Sequence, residues 1–315
     1  MPSRKQDDLL VNIFCKIDSG FFFKPDCLNM RCKDCDPKNI WNLVRKDELD
    51  MEVLLKQWEM KKVMIKGKLL KKKVLTKKFY TVREVVEKEE DLKTFPLHDF
   101  HARWQYKMFN YKKKNINERE VVAVLDFAEN YRCSLKDEAQ SAYWNYNQAT
   151  IHPIVCYYLC PKCCGHVTES IIIISDDLNH DSAAVNVFTK AAYEYLQTKL
   201  EIIFFLQFTD GCSAQYKSKA PFRDIQLSEQ IIGVPIERAY FGSRHGKNPS
   251  DGESAVVKNA VTRAVKNRQT IIQTARDLYS YGETFLEKGQ DDDAKCRHFK
   301  RKFIFIDEER IKDMR

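Results

Sequence analysis

No stretch of the sequence approaches the ~18 consecutive apolar residues that a membrane-crossing helix needs. Its start, MPSRKQDDLL, has none of the apolar core of a secretory signal. Both absences point to a soluble, intracellular protein without a membrane partner. There is no internal repeat, and low-complexity sequence is confined to short charge blocks. Intrinsic disorder is excluded by 19 Phe, 14 Tyr and 4 Trp. In an intracellular chain, eleven cysteines read as free thiols or metal ligands rather than disulfides.

A length of 315 residues allows one large domain or two ordinary ones. Lys and Arg outnumber Asp and Glu by 53 to 45, an excess of +8 that is unevenly spread. KKVMIKGKLLKKKVLTKK, residues 61–78, holds nine lysines in eighteen positions. Such a block suits a polyanion such as DNA, or a nuclear address, with Lys71, Lys72 and Lys73 at its centre. A solvated helix face would carry the same charge. Composition divides the chain into a Cys-rich candidate zinc-binding region (1–50), a basic region with helical apolar spacing (51–116), a β-rich core alternating with helices (117–290), and a charged C-terminal segment with a short strand (291–315).

Within the core, VVAVL (121–125) is an unbroken apolar run, the pattern of a strand buried on both faces. TIHPIVCYYL and TESIIIIS read as two further strands joined by a hairpin at CPKCCGH. A helix follows, capped by Asp181 or Ser182, with Val185, Phe188, Ala192 and Tyr195 at helical spacing. EIIFFLQF is a fourth strand and IERAYFG a fifth. After the fourth comes AQYKSKAPFRD, read as an irregular basic segment. A helix from about Asp251, another near 268–287 and the strand-like KFIFID close the chain. Three antiparallel strands, a helical crossover and a strand able to pair parallel with the first describe a ribonuclease-H-like mixed α/β sheet flanked by helices.

That order gives three acids a common destination. Asp126 leaves the first strand and Asp210 the fourth, which are neighbours in such a sheet. Asp251 opens the helix after the fifth. Unscreened, three converging carboxylates raise one another's pKa, and two Mg²⁺ or Mn²⁺ ions with oxygen ligands would relieve this. Each acid also has a plainer account. Asp210-Gly211 is a common turn pair, Ser250 with Glu253 fits a capping box beside Asp251, and Asp126 could hydrogen-bond a loop. Glu253 is a fallback third ligand and Glu129 an extra one.

LDFAENY, DEAQSAYWN, TIHPIVCYY, ISDDLNHD, TDGCSAQYKSK, YFGSRHGKNPSDG and AVVKNAV together resemble a family of transposon-derived animal proteins, similar to DDE-type transposases with a ribonuclease-H-like core. The resemblance runs from about 117 to 270. It implies catalytic and metal-binding aspartates at Asp126, Asp210 and Asp251, with a histidine at His245. It also implies DNA cleavage and joining in the nucleus. The family's usual glycine-rich helix start is replaced here by Ser-Asp-Gly-Glu-Ser, and members often run much longer. A domesticated, inactive derivative that only binds nucleic acid or protein is therefore the alternative, and a non-transposing nuclease a further rival.

Around these acids, Lys247 could neutralise a phosphate, and Tyr216, Lys217 and Lys219 could receive a nucleic-acid strand. A solvated loop and a structural His245 are the competing accounts. Cys27, Cys32 and Cys35, in C-x4-C-x2-C spacing with Cys15 as a fourth thiolate, suit tetrahedral Zn²⁺. Cys160, Cys163, Cys164 and His166 form a second, tighter zinc candidate, strained as a single tetrahedron. Cys133, Cys156, Cys212 and Cys296 read as core or incidental. A homo-oligomer is compatible with this organisation, and no base-reading element is evident.

Overall fold

The computed structural model describes residues 15, 24–29, 31–35, 41–42, 44–65, 68–88, 94–133, 147–242, 248–289 and 296–315. The chain forms two compact units, Met1–His101 and Ala102–Arg315.

In the first unit, α1 (Pro25–Leu28) precedes an antiparallel ribbon of β1 (Glu52–Ile65) and β2 (Lys68–Thr81), followed by α2 (Val82–Val86). The ribbon replaces the helix expected over the first part of the basic region, whereas Phe95–Lys114 of that region is helical as expected. Its apolar residues fall in adjacent pairs and triplets, such as Val53–Leu55, Val74-Leu75 and Phe79-Tyr80, rather than in the alternation that marks a strand. The deciding signal is Lys66-Gly67, the two-residue interval between Ile65 and its partner Lys68, which marks a hairpin. Lys78 Nζ lies 2.5 Å from Glu59 across the ribbon, and this ammonium holds the Glu59 carboxyl down at about 2. Elsewhere the register sets lysine against lysine, at Lys56–Lys77, Lys61–Lys72 and Lys62–Lys71. Like charges placed directly opposite destabilise a ribbon.

The second unit is built on one mixed sheet. After α3 (Phe95–Lys114), which begins in the first unit, come β3 (Glu120–Leu125), the short β4 (Tyr131–Arg132), β5 (Gln148–Leu159), β6 (His166–Ser175), α4 (Ser182–Gln197), β7 (Phe204–Thr209), α5 (Lys219–Gln226), α6 (Ser228–Ile232), β8 (Ile236–Tyr240), α7 (Pro249–Lys266), α8 (Ala275–Leu286), β9 (Phe299–Ile306) and α9 (Glu308–Lys312). The strand order is β8-β7-β3-β5-β6-β9, with β4 paired to β5. β3, β5 and β6 are antiparallel neighbours, while β7 runs parallel to β3, β8 to β7 and β9 to β6. This is the ribonuclease-H-like sheet, extended by β9 at one edge. The basic segment after β7, expected to be irregular, holds most of α5. The closing helix expected near 268–287 begins only at Ala275, with the Thr274 side chain accepting from Asp277 N.

The apolar runs are continuous because both faces of the sheet are covered. Val121, Ala123 and Leu125 of β3 join Phe188, Ala192 and Leu196 of α4. Val122 and Val124 join Phe109 of α3, whose ring meets Tyr157, Phe208 and Phe241 edge-on. Farther along that second face, Ile172, Ile174 and Phe303 pack against Val257 and Val261 of α7 and Leu278 of α8. The Asp181 carboxylate accepts from Ala184 N at 2.9 Å and so caps α4.

Helix α8 approaches β9 closely enough that its Gly282 has no room for a methyl group. A Cβ there would lie 2.3 Å from the fully buried Phe303 ring. Helix propensity alone would favour alanine by about 1 kcal/mol. Overpacking against a buried ring costs roughly 1–3 kcal/mol and should prevail. Gly282→Ala is therefore expected to lower the thermal midpoint. A raised midpoint would show that α8 is free to shift.

Candidate functional site

The register of the parallel β3–β7 pair matches Val124 with Phe208. Two residues on, the chain reaches Asp126 on one strand and Asp210 on the other, both half-buried at the carboxyl ends of adjacent parallel strands. In open α/β sheets, ligands bind at such ends. The residues after Asp126 are fixed by groups from other sequence motifs. The Phe127 ring lies between His152 and His180, with centroids 4.2 and 4.3 Å away. Ala128 N donates to Ile151 O at 3.0 Å. Asn130 Oδ1 accepts from His180 Nε2 at 2.7 Å. The DFAEN, TIHP and LNHD segments thus meet beside one carboxylate.

Helix α7 arrives at the same place. Asn248 is its N-cap and Pro249 its first residue, a common pairing at helix starts. The buried Ser250 hydroxyl donates to Val124 O at 2.9 Å, seating the first turn on β3. Asn248 Nδ2 then donates to Asp126 Oδ2 at 2.7 Å. Asn248 Oδ1 accepts from Asp251 N at 3.0 Å, and Asp251 Oδ2 accepts from Asn248 N at 3.3 Å. The capping box is therefore Asn248/Asp251, and the Ser250/Glu253 box expected from sequence does not form. Glu253, the fallback ligand, is instead ion-paired with Arg301 at 2.8 Å. Glu129 offers its backbone carbonyl to Lys258 Nζ. Asn248, which touches Asp126 directly, is the residue that sequence reasoning missed; Asn-Pro before a polar helix start was its signal.

The electrostatics of this corner are opposed. Burial pushes the Asp126 carboxyl up, the Asn248 amide pulls it down, and Asp210 and Asp251 push it up again. The result is a carboxyl raised from 3.8 to about 6. Tyr216 lies beneath. It is fully buried, its phenol is pushed up by burial and by Asp126 and Asp210, and its hydroxyl has no hydrogen-bond partner. This orphaned hydroxyl and the opposed carboxylates suit a hydrated hard cation. The acids span more than a single-ion cluster. Among the described residues, the metal-ligating groups whose atoms all fall within 4.8 Å are made of cysteine and histidine.

Tyr216 is not the stacking surface expected from sequence. Its backbone is held by Cys212 O and by the Tyr240 hydroxyl, and the Arg238 guanidinium lies 5.6 Å from its ring. Lys217 and Lys219 are exposed on the loop and helix start after Asp210. His245 and Lys247 lie outside the described residues. In the ribbon, Lys71 and Lys72 are exposed, and Lys73 pairs with Met60 along the backbone.

The thiols form two groups. Cys15, Cys27, Cys32 and Cys35 come together in the first unit, as their spacing suggested, and could hold a metal ion such as zinc. The second group keeps Cys160 and Cys163 but exchanges two members. Cys164 and His166 stay out, and Cys296 and His298 come in from the segment before β9. Cys164 sits at φ 56° on the turn, and His166 is paired in the ladder opposite Leu159. Four ligands within seven residues cannot surround one ion without strain, whereas a distant C-x-H pair can complete the shell. Cys296, read from sequence as incidental, is thus placed with this group.

A family profile described as Domain of unknown function (DUF8701) matches residues 105–313, and the chain belongs to that family. No curated protein matches the chain. Among solved structures it is similar to the crystal structure of the Mos1 Strand Transfer Complex, with TM-score 0.28 and 12% identity over 60% of this chain. The match covers 53% of that chain, about half its length.

The raised Asp126 carboxyl has a stability consequence. Below its unfolded value, both states are protonated and nothing is lost. The penalty grows as pH rises from 3.8 to about 6 and is complete above that. Its size is on the order of 3 kcal/mol. Asp126→Asn should therefore raise the cation-free melting midpoint at pH 7.5 and leave it little changed near pH 4. An Asp126→Asn midpoint no higher than wild type at pH 7.5 would contradict this account.

Proposed function

For this member of the DUF8701 family, we propose a metal-dependent polynucleotidyl nuclease or strand transferase of the DDE type, acting on DNA phosphodiester bonds. One observation carries the reading: Asp126 and Asp210 end adjacent parallel strands, and the first turn of α7 brings Asn248 against Asp126 with Asp251 bonded to Asn248. Two Mg²⁺ or Mn²⁺ ions bound there would supply Lewis-acid activation of the attacking and leaving oxygens. Asp126, Asp210 and Asp251 are the residues that would hold them.

The remaining work falls to the chain's own groups. Asn248 occupies Asp126 Oδ2 and so fixes the carboxylate's orientation. Cys212 N donates to Asp210 Oδ1 at 3.1 Å and orients the second acid in the same way. The N-terminal end of α7, with its positive partial charge, favours an anionic phosphate in the same corner. Lys217 and Lys219 are exposed just beyond Asp210, placed to meet phosphates without reading bases. The facing lysines of the ribbon, costly on their own, gain favourable partners along a polyanionic backbone.

A second reading has its own support. The Asp251 carboxylate is exposed and tied to its helix cap, an arrangement that a binding protein without cleavage could keep.

Supercoiled plasmid with Mn²⁺ separates the two. Wild type should nick or cleave it, and Asp126→Ala and Asp210→Asn should each lose at least ~10²-fold in rate, as expected when a principal charge-stabilising group is removed. Equal product from wild type and both variants would overturn the catalytic reading. DNA binding unaffected by divalent metal, with no cleavage, would favour the binding protein. Independently, Lys71→Ala with Lys72→Ala should lower the salt-dependence slope of DNA affinity by about 2. An unchanged slope would remove the ribbon from the DNA contact.

A further inference from the structure

We infer that Cys160, Cys163, Cys296 and His298 hold a structural Zn²⁺ that staples the edge strand β9 to the sheet. The four ligand atoms all lie within 4.8 Å of one another, and Cys163 Sγ is 3.2 Å from His298 Nε2. A tetrahedral zinc with Zn–S bonds of roughly 2.3 Å separates its sulfurs by roughly 3.8 Å, so the group needs only small adjustments to close on an ion. Cys₃His is a closed structural ligand set, with no position left for a substrate.

The local sequence builds the two halves separately. Cys160 and Cys163 stand on the tight connection between β5 and β6, where Cys160 N donates to Gly165 O and Cys164 N donates to Cys160 O, both at 2.8 Å. The other half comes from more than 130 residues away. His298 O accepts from Thr168 N at 2.8 Å, which lays the segment alongside β6. Gly165 is required for this approach, because a Cβ there would lie 2.6 Å from the His298 ring. The glycine admits an imidazole to three thiols.

The position of the group gives it a task. β9 ends the strand order and pairs along one side with β6. It carries Arg301, whose Nε donates to Glu253 of α7 at 2.8 Å and whose Nη1 donates to Leu286 O at 3.3 Å. An ion fixed immediately before β9 sets its register, and through Arg301 it braces the helix whose first turn meets Asp126. Closing a loop of this length with a cross-link removes much of the unfolded chain's freedom.

Metal content of the full chain tests the inference. Cys163→Ser, Cys296→Ser and His298→Ala should each lose one zinc equivalent relative to wild type, while Cys164→Ser and His166→Ala should lose none. Zinc content unchanged in Cys163→Ser and His298→Ala would overturn it, as would loss of zinc from Cys164→Ser or His166→Ala. If the ligand variants do not fold, Co²⁺ substitution of Cys27→Ser/Cys32→Ser, which disables the other thiol group, gives a second reading. One Co²⁺ with tetrahedral d–d bands and thiolate charge-transfer absorption is expected, and absence of those bands would refute the site. Removing zinc from that variant should also speed hydrogen exchange in residues 299–306 by about tenfold or more. Unchanged exchange would refute the stapling role.

Discussion

The cost of placing a carboxylate at the end of a strand buried on both faces governs the architecture of the second unit. Asp126 follows five residues that are essentially inaccessible to water, and a charge there has few routes to stabilisation. The chain supplies the Asn248 amide, the Phe127 backbone N–H and the positive end of α7. Against these stand desolvation and two further acids, and the balance falls on the side of a raised carboxyl. Helix α7 cannot simply move away to relieve the crowding. Ser250 ties its first turn to the Val124 carbonyl, and Val257 and Val261 bury its inner face. The strain between packing and charge is therefore built in, as at sites whose groups are meant for a charged ligand.

That arrangement depends on contacts distant in sequence. α7 is braced from its far side by Arg301 of β9, a guanidinium 9% exposed and paired with Glu253. Removing one partner of so buried a pair leaves an uncompensated charge, which is more damaging than the pair is stabilising. Phe303 of the same strand fills the space left by Gly282 on α8. The C-terminal strand is thus an internal support of the helix that reaches the acids. This explains why a segment that reads as a charged tail carries buried residues at Arg301, Phe303 and Ile306.

Much of this was legible in the sequence, and the failures have physical causes. Buried strands announce themselves by unbroken apolar runs, so β3, β5, β6 and β7 could be placed, and their order with α4 gives the mixed sheet. The basic ribbon is not legible because its apolar residues come in adjacent pairs and triplets instead of alternating. Tyr216 was placed on the surface because its neighbours are lysines, but Tyr240 and Arg238, far along the chain, draw it inside. Cys296 and His298 could not be joined to Cys160 and Cys163 without knowing that β9 lies against β6. Asn248 carried a readable cap signal, but its contact with Asp126 follows from where α7 docks, and residue spacing does not encode that.

The same contact bears on which side chain could act as a third ligand under the proposed function. Asp251 uses one oxygen, at 3.3 Å, to cap the helix that carries it. A cap of this kind stabilises by about 1 kcal/mol, which is small beside the attraction between a carboxylate and a divalent cation. The bond also engages Oδ2, and a carboxylate has two oxygens and about four lone-pair directions. Capping and metal ligation therefore do not exclude one another. Asn248, by contrast, spends its amide on Asp126 and its carbonyl on Asp251 N, which leaves it without a comparable free oxygen. The division of labour that follows is asymmetric: Asn248 holds the first acid and the helix end in register, and the exposed Asp251 keeps carboxylate lone pairs for the ion that the proposed function requires.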